Sequence, residues 1–173
     1  MKIGITGING FIGNAVSKAL IENGHSIIEL DKFTKEFKAP TLMQVGSLDW
    51  ILHFGAKTSI MDSYKDPATT IRNNLWSTMQ ALNIAEQNKS KFIYLSSYVY
   101  GQPKFIPIDE KHEINITNPY MGSKYLGEIL SKQFCEHCKI PLIILRAFNV
   151  YGAFNKTGRL ISDLLNAFLK KES

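Results

Sequence analysis

The stretch KIGITGINGFIG, residues 2–13, begins as a short apolar run and then places glycine at positions 7, 10 and 13. A buried strand that turns through glycines into a helix is typical of a nucleotide-binding βαβ unit. In such a unit Gly7 permits the tight turn, Gly10 lets backbone amides approach a pyrophosphate, and Gly13 lets the helix pack against the sheet. The spacing is a variant of the strict G-x-G-x-x-G pattern, so we looked for further signals along the chain.

An acidic residue follows the second apolar run at the distance that such a unit needs. Asp31 comes after SIIEL, about 20 residues beyond Gly10. A carboxylate there accepts hydrogen bonds from both adenosine ribose hydroxyls and repels a 2′-phosphate, so it favours NAD over NADP. The phosphates are expected at the positive N-terminal end of the helix that begins near Phe11 and Ile12.

Short β-branched or aromatic runs alternate with longer segments of helical period along the whole chain. Strands are predicted at IGIT, SIIEL, WILHF, KFIYLS and PLIILRAF, and helices over 11–22, 67–87, 119–137 and 159–170. This rhythm predicts an α/β fold, a Rossmann-type doubly wound parallel sheet with helices on both faces.

The connection between Asp31 and Trp50 is too short for the helix, strand and second helix that usually follow the second strand of such a sheet. We therefore expect the third-strand region to be shortened. At most a short strand or turn of helix is predicted around Leu42 to Val45, and the second strand becomes an edge of the sheet.

The composition fits one domain: 173 residues with 45% hydrophobic content support one ordinary core. The net charge of +5 comes from scattered lysines without a basic tract, which argues against nucleic-acid binding. Glycines and asparagines interrupt the N-terminus, and no apolar run approaches the roughly 20 residues of a membrane span. Cys135 and Cys138 are too few ligands for a zinc site. We expect a cytoplasmic protein that binds neither metal, nucleic acid nor membrane.

The segment NPYMGSK places Tyr120 and Lys124 four residues apart, on one face of a helix that Asn118 caps and Pro119 begins. A free tyrosine is a poor base at neutral pH, but a neighbouring ammonium stabilises the tyrosinate. Such a pair can take a proton from a sugar hydroxyl while hydride leaves the same carbon. Ser96 or Ser97, where a predicted strand ends, is placed to polarise the reacting oxygen.

Together these segments resemble the extended short-chain dehydrogenases/reductases, and most closely their NAD-dependent sugar-nucleotide epimerase/dehydratase branch. The matching motifs, in the family order, are TGINGFIG, LDWILHFGA, NNLWST, LSSYVYG, PIDE, NPYMGSK and LRAFNVYG. The resemblance implies that Ser96 is the catalytic serine, with Ser97 as the alternative, that Tyr120 is the acid/base and that Lys124 is its partner and a ribose ligand.

Further residues take roles by the same resemblance. Cofactor contacts are implied for Gly7, Gly10, Phe11, Ile12, Gly13, Asp31, Gly55, Ala56, Asn74, Tyr120, Lys124 and Phe148, and substrate contacts for Ser97 and Asn149. The implied substrate is a nucleotide-diphosphate sugar. A homodimer through two helices is also implied, although the spacing of Leu75, Met79 and Leu82 suits a core-facing stripe equally well.

Within the branch, dehydratases carry an acid pair after the catalytic serine, whereas this chain has Ser97 and Tyr98. The resemblance therefore favours epimerisation through a 4-keto sugar. Reduction of a nucleotide-linked keto sugar and a non-catalytic dinucleotide-sensing module are the alternatives. We expect residues 1–152 to form the NAD-binding domain and 153–173 to begin a substrate domain that is otherwise largely absent, so this chain should bind NAD but turn over sugar nucleotides poorly.

Overall fold

A computed structural model describes residues 1–31, 46–152 and 160–171. The strands are β1 (Lys2–Thr6), β2 (Ser26–Glu29), β3 (Trp50–His53), β4 (Lys91–Ser97) and β5 (Leu142–Ala147). The helices are α1 (Phe11–Glu22), α2 (Ile60–Lys65), α3 (Pro67–Asn88), α4 (Pro119–Cys138) and α5 (Leu160–Lys171).

The strands of the described residues form one five-stranded sheet in the order β2-β1-β3-β4-β5, and every neighbouring pair is parallel. Ile3 of β1 lies opposite Ile27 on one side and Trp50 on the other. The predicted doubly wound parallel sheet is confirmed, and in the described chain β2 is an edge strand. The short element expected around Leu42 to Val45 falls outside the described residues.

Two apolar clusters pack on opposite faces of the sheet, because successive strand side chains alternate between them. One contains Phe92 and Tyr94 of β4 with residues of α3 and α4, and the other contains Ile3 and Ile5 of β1 with Val16 of α1. Helices therefore cover both faces, as the alternating pattern predicts.

Side chains cap the helices that matter for the site. Asn118 Oδ1 accepts a hydrogen bond from the Met121 amide at 2.8 Å, and Pro119 is the first residue of α4, as the sequence predicts. Asp66 caps α3 in the same way. The sequence did not predict α2, which is a six-residue helix capped by Ser59.

The fold does not test the expected homodimer or the expected domain boundary. Leu82 is fully buried in the core, whereas Leu75 and Met79 are half-buried, so at least part of that stripe faces inward. The homodimer remains a prediction, as does the boundary at 152/153, which adjoins residues outside the described part. None of the described helices combines the length and the apolar character that crossing a bilayer requires.

Candidate active site at the carboxyl edge of the sheet

Residues 7–13, the glycine loop, leave β1 in a compact turn. Gly7 has φ +72°, and the Gly10 amide donates to the Gly7 carbonyl oxygen at 2.9 Å. A Cβ added at Gly13 would lie 2.0 Å from that oxygen, and one added at Gly7 would lie 2.7 Å from the Gly55 amide nitrogen. The loop thus needs glycine at 7 and 13, and it is a cradle of exposed backbone of the kind that admits a pyrophosphate.

The Asp31 carboxylate lies against this loop. Its two oxygens accept hydrogen bonds from the amides of Gly7 at 2.6 Å and Ile8 at 3.2 Å. Sequence reasoning assigned Asp31 to a ribose only. The contacts give it a second role, because it also fixes the glycine loop.

A hydrogen-bonded chain inside the sheet ties the loops after β1 and β3 to α3. The Gly55 amide donates to Thr6 Oγ1 at 3.0 Å, and a hydrogen bond of 2.7 Å joins the Thr6 hydroxyl to His53 Nδ1. His53 Nε2–H donates to Thr78 Oγ1 at 3.0 Å, since the Thr78 hydroxyl donates to the Asn74 carbonyl oxygen. Burial lowers the pKa of His53 to about 3, so the imidazole is neutral in this chain.

Asn74 joins the loop after β3 to the start of the helix that carries Tyr120. Its side chain accepts from the Lys57 amide at 2.7 Å and donates to the Lys57 carbonyl at 3.1 Å and to Ser123 Oγ at 2.8 Å. The Ser123 hydroxyl donates to the Tyr120 carbonyl oxygen. Loss of any of these hydrogen bonds would remove a connection between the first turn of α4 and the loop after β3.

The carboxyl edge of the sheet brings most candidate residues together. Because the strands are parallel, the loops that follow their carboxyl ends all lie at one edge of the sheet. The helix α4 begins at the same edge, because a crossover helix runs antiparallel to the strands that it connects. The residues at this edge are the glycine loop, Asp31, Gly55, Ala56, Ser96, Ser97, Tyr120, Phe148 and Asn149. Tyr120 is in the first turn of α4 and Lys124 is one turn further along, so both lie at the helix end on the same side of the molecule as the glycine loop.

Ser96 and Ser97 differ sharply in their surroundings. Ser96 is 3% exposed, and within the described residues its hydroxyl has no hydrogen-bond partner. Ser97 is half-buried at the end of β4, and Phe148 is half-exposed with its ring 5.0 Å from that of Tyr98. A buried hydroxyl without a hydrogen-bond partner costs free energy. Ser131 Oγ and His112 Nδ1 are in the same condition within the described residues.

Lys124 is buried beside these groups, with only 3% of its surface exposed. Burial lowers its pKa to about 7, and the Glu128 carboxylate opposes that shift. The titratable groups on the elements around it are His53 on β3, Tyr94 on β4, and Tyr120 and Glu128 on its own helix. The fold therefore holds an amine whose charge changes near neutral pH.

The Lys124→Met variant is expected to stabilise the chain by about 2 kcal/mol at pH 6. Between pH 7 and the ordinary lysine pKa of 10.5, the unfolded chain holds the extra proton, so the free energy of unfolding rises with pH across this window. The gain in the free energy of unfolding from Lys124→Met should therefore become smaller as the pH rises above 7. Denaturant unfolding at pH 6 and pH 9.5 measures it, with the exposed Lys132→Met on the same helix as control. An equal effect at both pH values would contradict the prediction.

Two polar arrangements close to this edge were not predicted from the sequence. Glu128, one turn after Lys124 on α4, binds Arg146 through both carboxylate oxygens, and Arg146 Nη1 donates to the Tyr100 hydroxyl at 2.8 Å. His112 is buried, and its Nε2 accepts from the Lys104 amide at 3.0 Å. Glu128 could have been found from its helical spacing to Lys124, but nothing local marks Arg146 as its partner.

Other polar clusters do not suggest a second chemistry. Across the three described ranges, no group of three or more His, Cys, Asp or Glu side chains could hold a metal ion. Cys135 and Cys138 are free thiols, and burial raises the pKa of Cys135 to about 11.

The chain is similar in sequence to a known protein family. A profile described as the NAD dependent epimerase/dehydratase family matches residues 3–173. The chain is 36% identical to the UDP-glucose 4-epimerase of Drosophila melanogaster over 127 residues, which are 71% of this chain and 36% of that protein.

Solved structures agree in fold. The UDP-glucuronic acid 4-epimerase of Bacillus cereus in complex with NAD superposes with a TM-score of 0.82 and 26% identity over 99% of this chain and 63% of its own. RMD from Pseudomonas aeruginosa, complexed with NADPH, superposes with a TM-score of 0.89 and 24% identity over 98% of this chain and 60% of its own.

The chain spans about a third to two thirds of the length of these relatives. The match nevertheless covers nearly every residue here, and it includes the glycine loop, the strand ends and α4. The chain belongs to the NAD-dependent epimerase/dehydratase family.

Proposed function

We propose that this chain is the NAD-binding and catalytic part of a UDP-sugar 4-epimerase. The observation that carries the proposal is that one edge of the sheet holds both the glycine loop and the residues Ser96, Tyr120 and Lys124. Asn74 links the loop after β3 to the first turn of the helix that carries Tyr120 and Lys124. The sequence relative from Drosophila melanogaster and the structural relative from Bacillus cereus are named as UDP-sugar 4-epimerases, which supports this reaction class.

The residues present fit NAD. Glycine at 13 lets the loop pack closely against the start of α1, because a Cβ there would meet the Gly7 carbonyl oxygen at 2.0 Å. The Ser96 hydroxyl is a buried polar group without a partner in the described chain. The glycine loop would hold the pyrophosphate, Asp31 the adenosine ribose, and Lys124 the second ribose. When bound, NAD supplies the acceptor for a hydride.

The chain's own residues would then handle the protons. Tyr120 takes the proton of the sugar hydroxyl, and the ammonium of Lys124 stabilises the resulting phenolate. The Ser96 hydroxyl donates a hydrogen bond to the same oxygen, polarising the keto group that forms. After the keto sugar has turned over, the hydride returns to the opposite face of the same carbon while Tyr120 gives the proton back to the oxygen, which completes an inversion at that carbon.

Coenzyme binding is the first test, and calorimetry with NAD and NADP measures it. The unmodified chain is expected to bind NAD more tightly than NADP. Asp31→Asn, which keeps an acceptor for the Gly7 amide, should weaken NAD binding by about tenfold and narrow the difference between the coenzymes, since one charge-assisted hydrogen bond is lost. Glu22→Gln, an exposed acid at the end of α1, is the matched control. Failure of the unmodified chain to bind NAD would overturn the proposal.

The reaction class is tested with the protein that carries this chain, loaded with NAD. Addition of UDP-glucose or UDP-galactose should give interconversion of the two sugars without net consumption of coenzyme. Net oxidation of NADH by a keto sugar would instead favour a reductase. NAD binding with neither activity would favour a sensing module.

A further inference from the structure

Lys124 is held against the face of an aromatic ring. Its Nζ lies 4.4 Å from the centroid of the Tyr94 ring, and Tyr94 is completely buried. The other charged groups nearby do not offer it a simple ion pair, because His53 is neutral and the Glu128 carboxylate already binds Arg146 through three hydrogen bonds. The ring is therefore the defined partner of the ammonium in this pocket.

The Tyr94 ring is itself fixed on three sides. Its hydroxyl donates to the Lys124 carbonyl oxygen at 3.1 Å, and the His53 ring stacks on it at 5.8 Å with an interplanar angle of 27°. A Cβ added at Gly127 would lie 2.1 Å from the Tyr94 hydroxyl oxygen, so the absence of a side chain at 127 makes room for it. These contacts hold the Tyr94 ring in one position, beneath the Lys124 side chain.

We propose that Tyr94 is a positioning residue for Lys124: its ring holds the ammonium at the depth where it can meet a bound ribose and Tyr120. This inference rests on the proposed function, because it assigns the ring a role in coenzyme binding by Lys124. Tyr94 touches neither substrate nor coenzyme in the proposal and acts only through the lysine.

The physical reason is that burial penalises a charged amine. A ring face offsets part of that penalty by its electron density, and the effect grows where water is excluded. Leucine in place of Tyr94 would leave the ammonium without this compensation. The side chain would then lose its proton or swing toward solvent, and either change weakens its contact with a ribose hydroxyl.

The native chain provides a direct test by NMR. Lysine labelled at Cε reports on the ring, with the Lys124 signal assigned by its loss in Lys124→Met. In the native chain and in Tyr94→Phe, the chemical shift of the Lys124 ε-methylene protons is expected upfield of that of exposed lysines such as Lys132. In Tyr94→Leu, it is expected to return to the value of the exposed lysines. A Lys124 signal at the position of exposed lysines in the native chain would overturn the proposal.

A double-mutant cycle on NAD affinity separates positioning from general stability. Tyr94→Leu should weaken NAD binding about tenfold in the native background and add little in Lys124→Met. Tyr94→Phe keeps the ring, so it should bind NAD within about twofold of the native chain, although it loses the hydrogen bond from the Tyr94 hydroxyl to the Lys124 carbonyl oxygen and should melt at a lower temperature. Equal weakening by Tyr94→Leu in both backgrounds would mean a merely structural role and would overturn the proposal.

The two claims fail separately. If the unmodified chain does not bind NAD, the proposed function is wrong, while the NMR measurement still decides whether the ring holds the ammonium. If Tyr94→Leu does not fold, Tyr94→Met takes its place in the cycle, because the flexible thioether fills the same space without an aromatic face.

Discussion

Replacement of Arg146 by methionine is expected to lower the free energy of unfolding by about 3–5 kcal/mol. Arg146 binds Glu128, whose side chain is 0% exposed, whereas that of Arg146 is 17% exposed. Methionine fills a similar volume but leaves the carboxylate buried without its counter-ion. Hydrogen bonding to Glu128 raises the pKa of Arg146 above its usual value, which agrees with a strong pair.

Denaturant unfolding at pH 7 measures this loss, and a second pair supplies the control. Lys104 and Glu113 also form an ion pair, but their side chains are 72% and 67% exposed. Lys104→Met should therefore cost less than about 1 kcal/mol, because exposed pairs are screened by water. Similar losses for the two variants would contradict the view that burial makes the Glu128 pair important. The double replacement of Glu128 and Arg146 by methionine should recover much of the stability, since no buried charge remains.

The Gly13→Ala variant is expected to bind NAD at least about 100-fold more weakly than the native chain. The new methyl group would meet the Gly7 carbonyl oxygen at 2.0 Å, so α1 must move away from the turn or the turn must open. Either shift displaces the backbone amides at the start of α1 from the positions proposed to hold the pyrophosphate. Thermal unfolding should show a loss of stability as well.

Gly122→Ala is the matched control, since it also adds one methyl group to a helical glycine. There the nearest atom, Cγ2 of Ile116, is 3.6 Å away, which is an ordinary contact. This variant should keep the native NAD affinity and gain up to about 1 kcal/mol from helix propensity. Native affinity in Gly13→Ala would show that the loop accommodates a side chain and would remove the argument for that glycine.

Features that depend on neighbouring residues were readable from the sequence. The alternation of strands and helices, the turn at Gly7 and the cap at Asn118 each follow from local backbone chemistry, and the structure has all three. The face shared by Tyr120 and Lys124 follows from helical spacing in the same way. Their catalytic roles remain predictions.

Features that depend on distant partners were not readable. Nothing beside His53 in the sequence indicates that Thr6 and Thr78 will bracket its ring, and nothing beside Arg146 indicates Glu128. Asp31 was assigned a ligand, yet it also binds the Gly7 amide, because the sheet brings the ends of β1 and β2 together. The short helix α2 was missed because six residues hold too little periodic signal.

The parallel pairing of the sheet sets the order in which the nascent chain can assemble on the ribosome. β1 is synthesised first, but one of its two partner strands begins only at Trp50. In the same way, Phe92 of β4 can pair with Leu142 only after β5 has been synthesised. None of the described strand pairs is a hairpin, so each of these strands closes a long loop before it gains any contact. Until β3 has left the exit tunnel, one flank of β1 has no partner strand, and chaperones can bind β1 there during this interval.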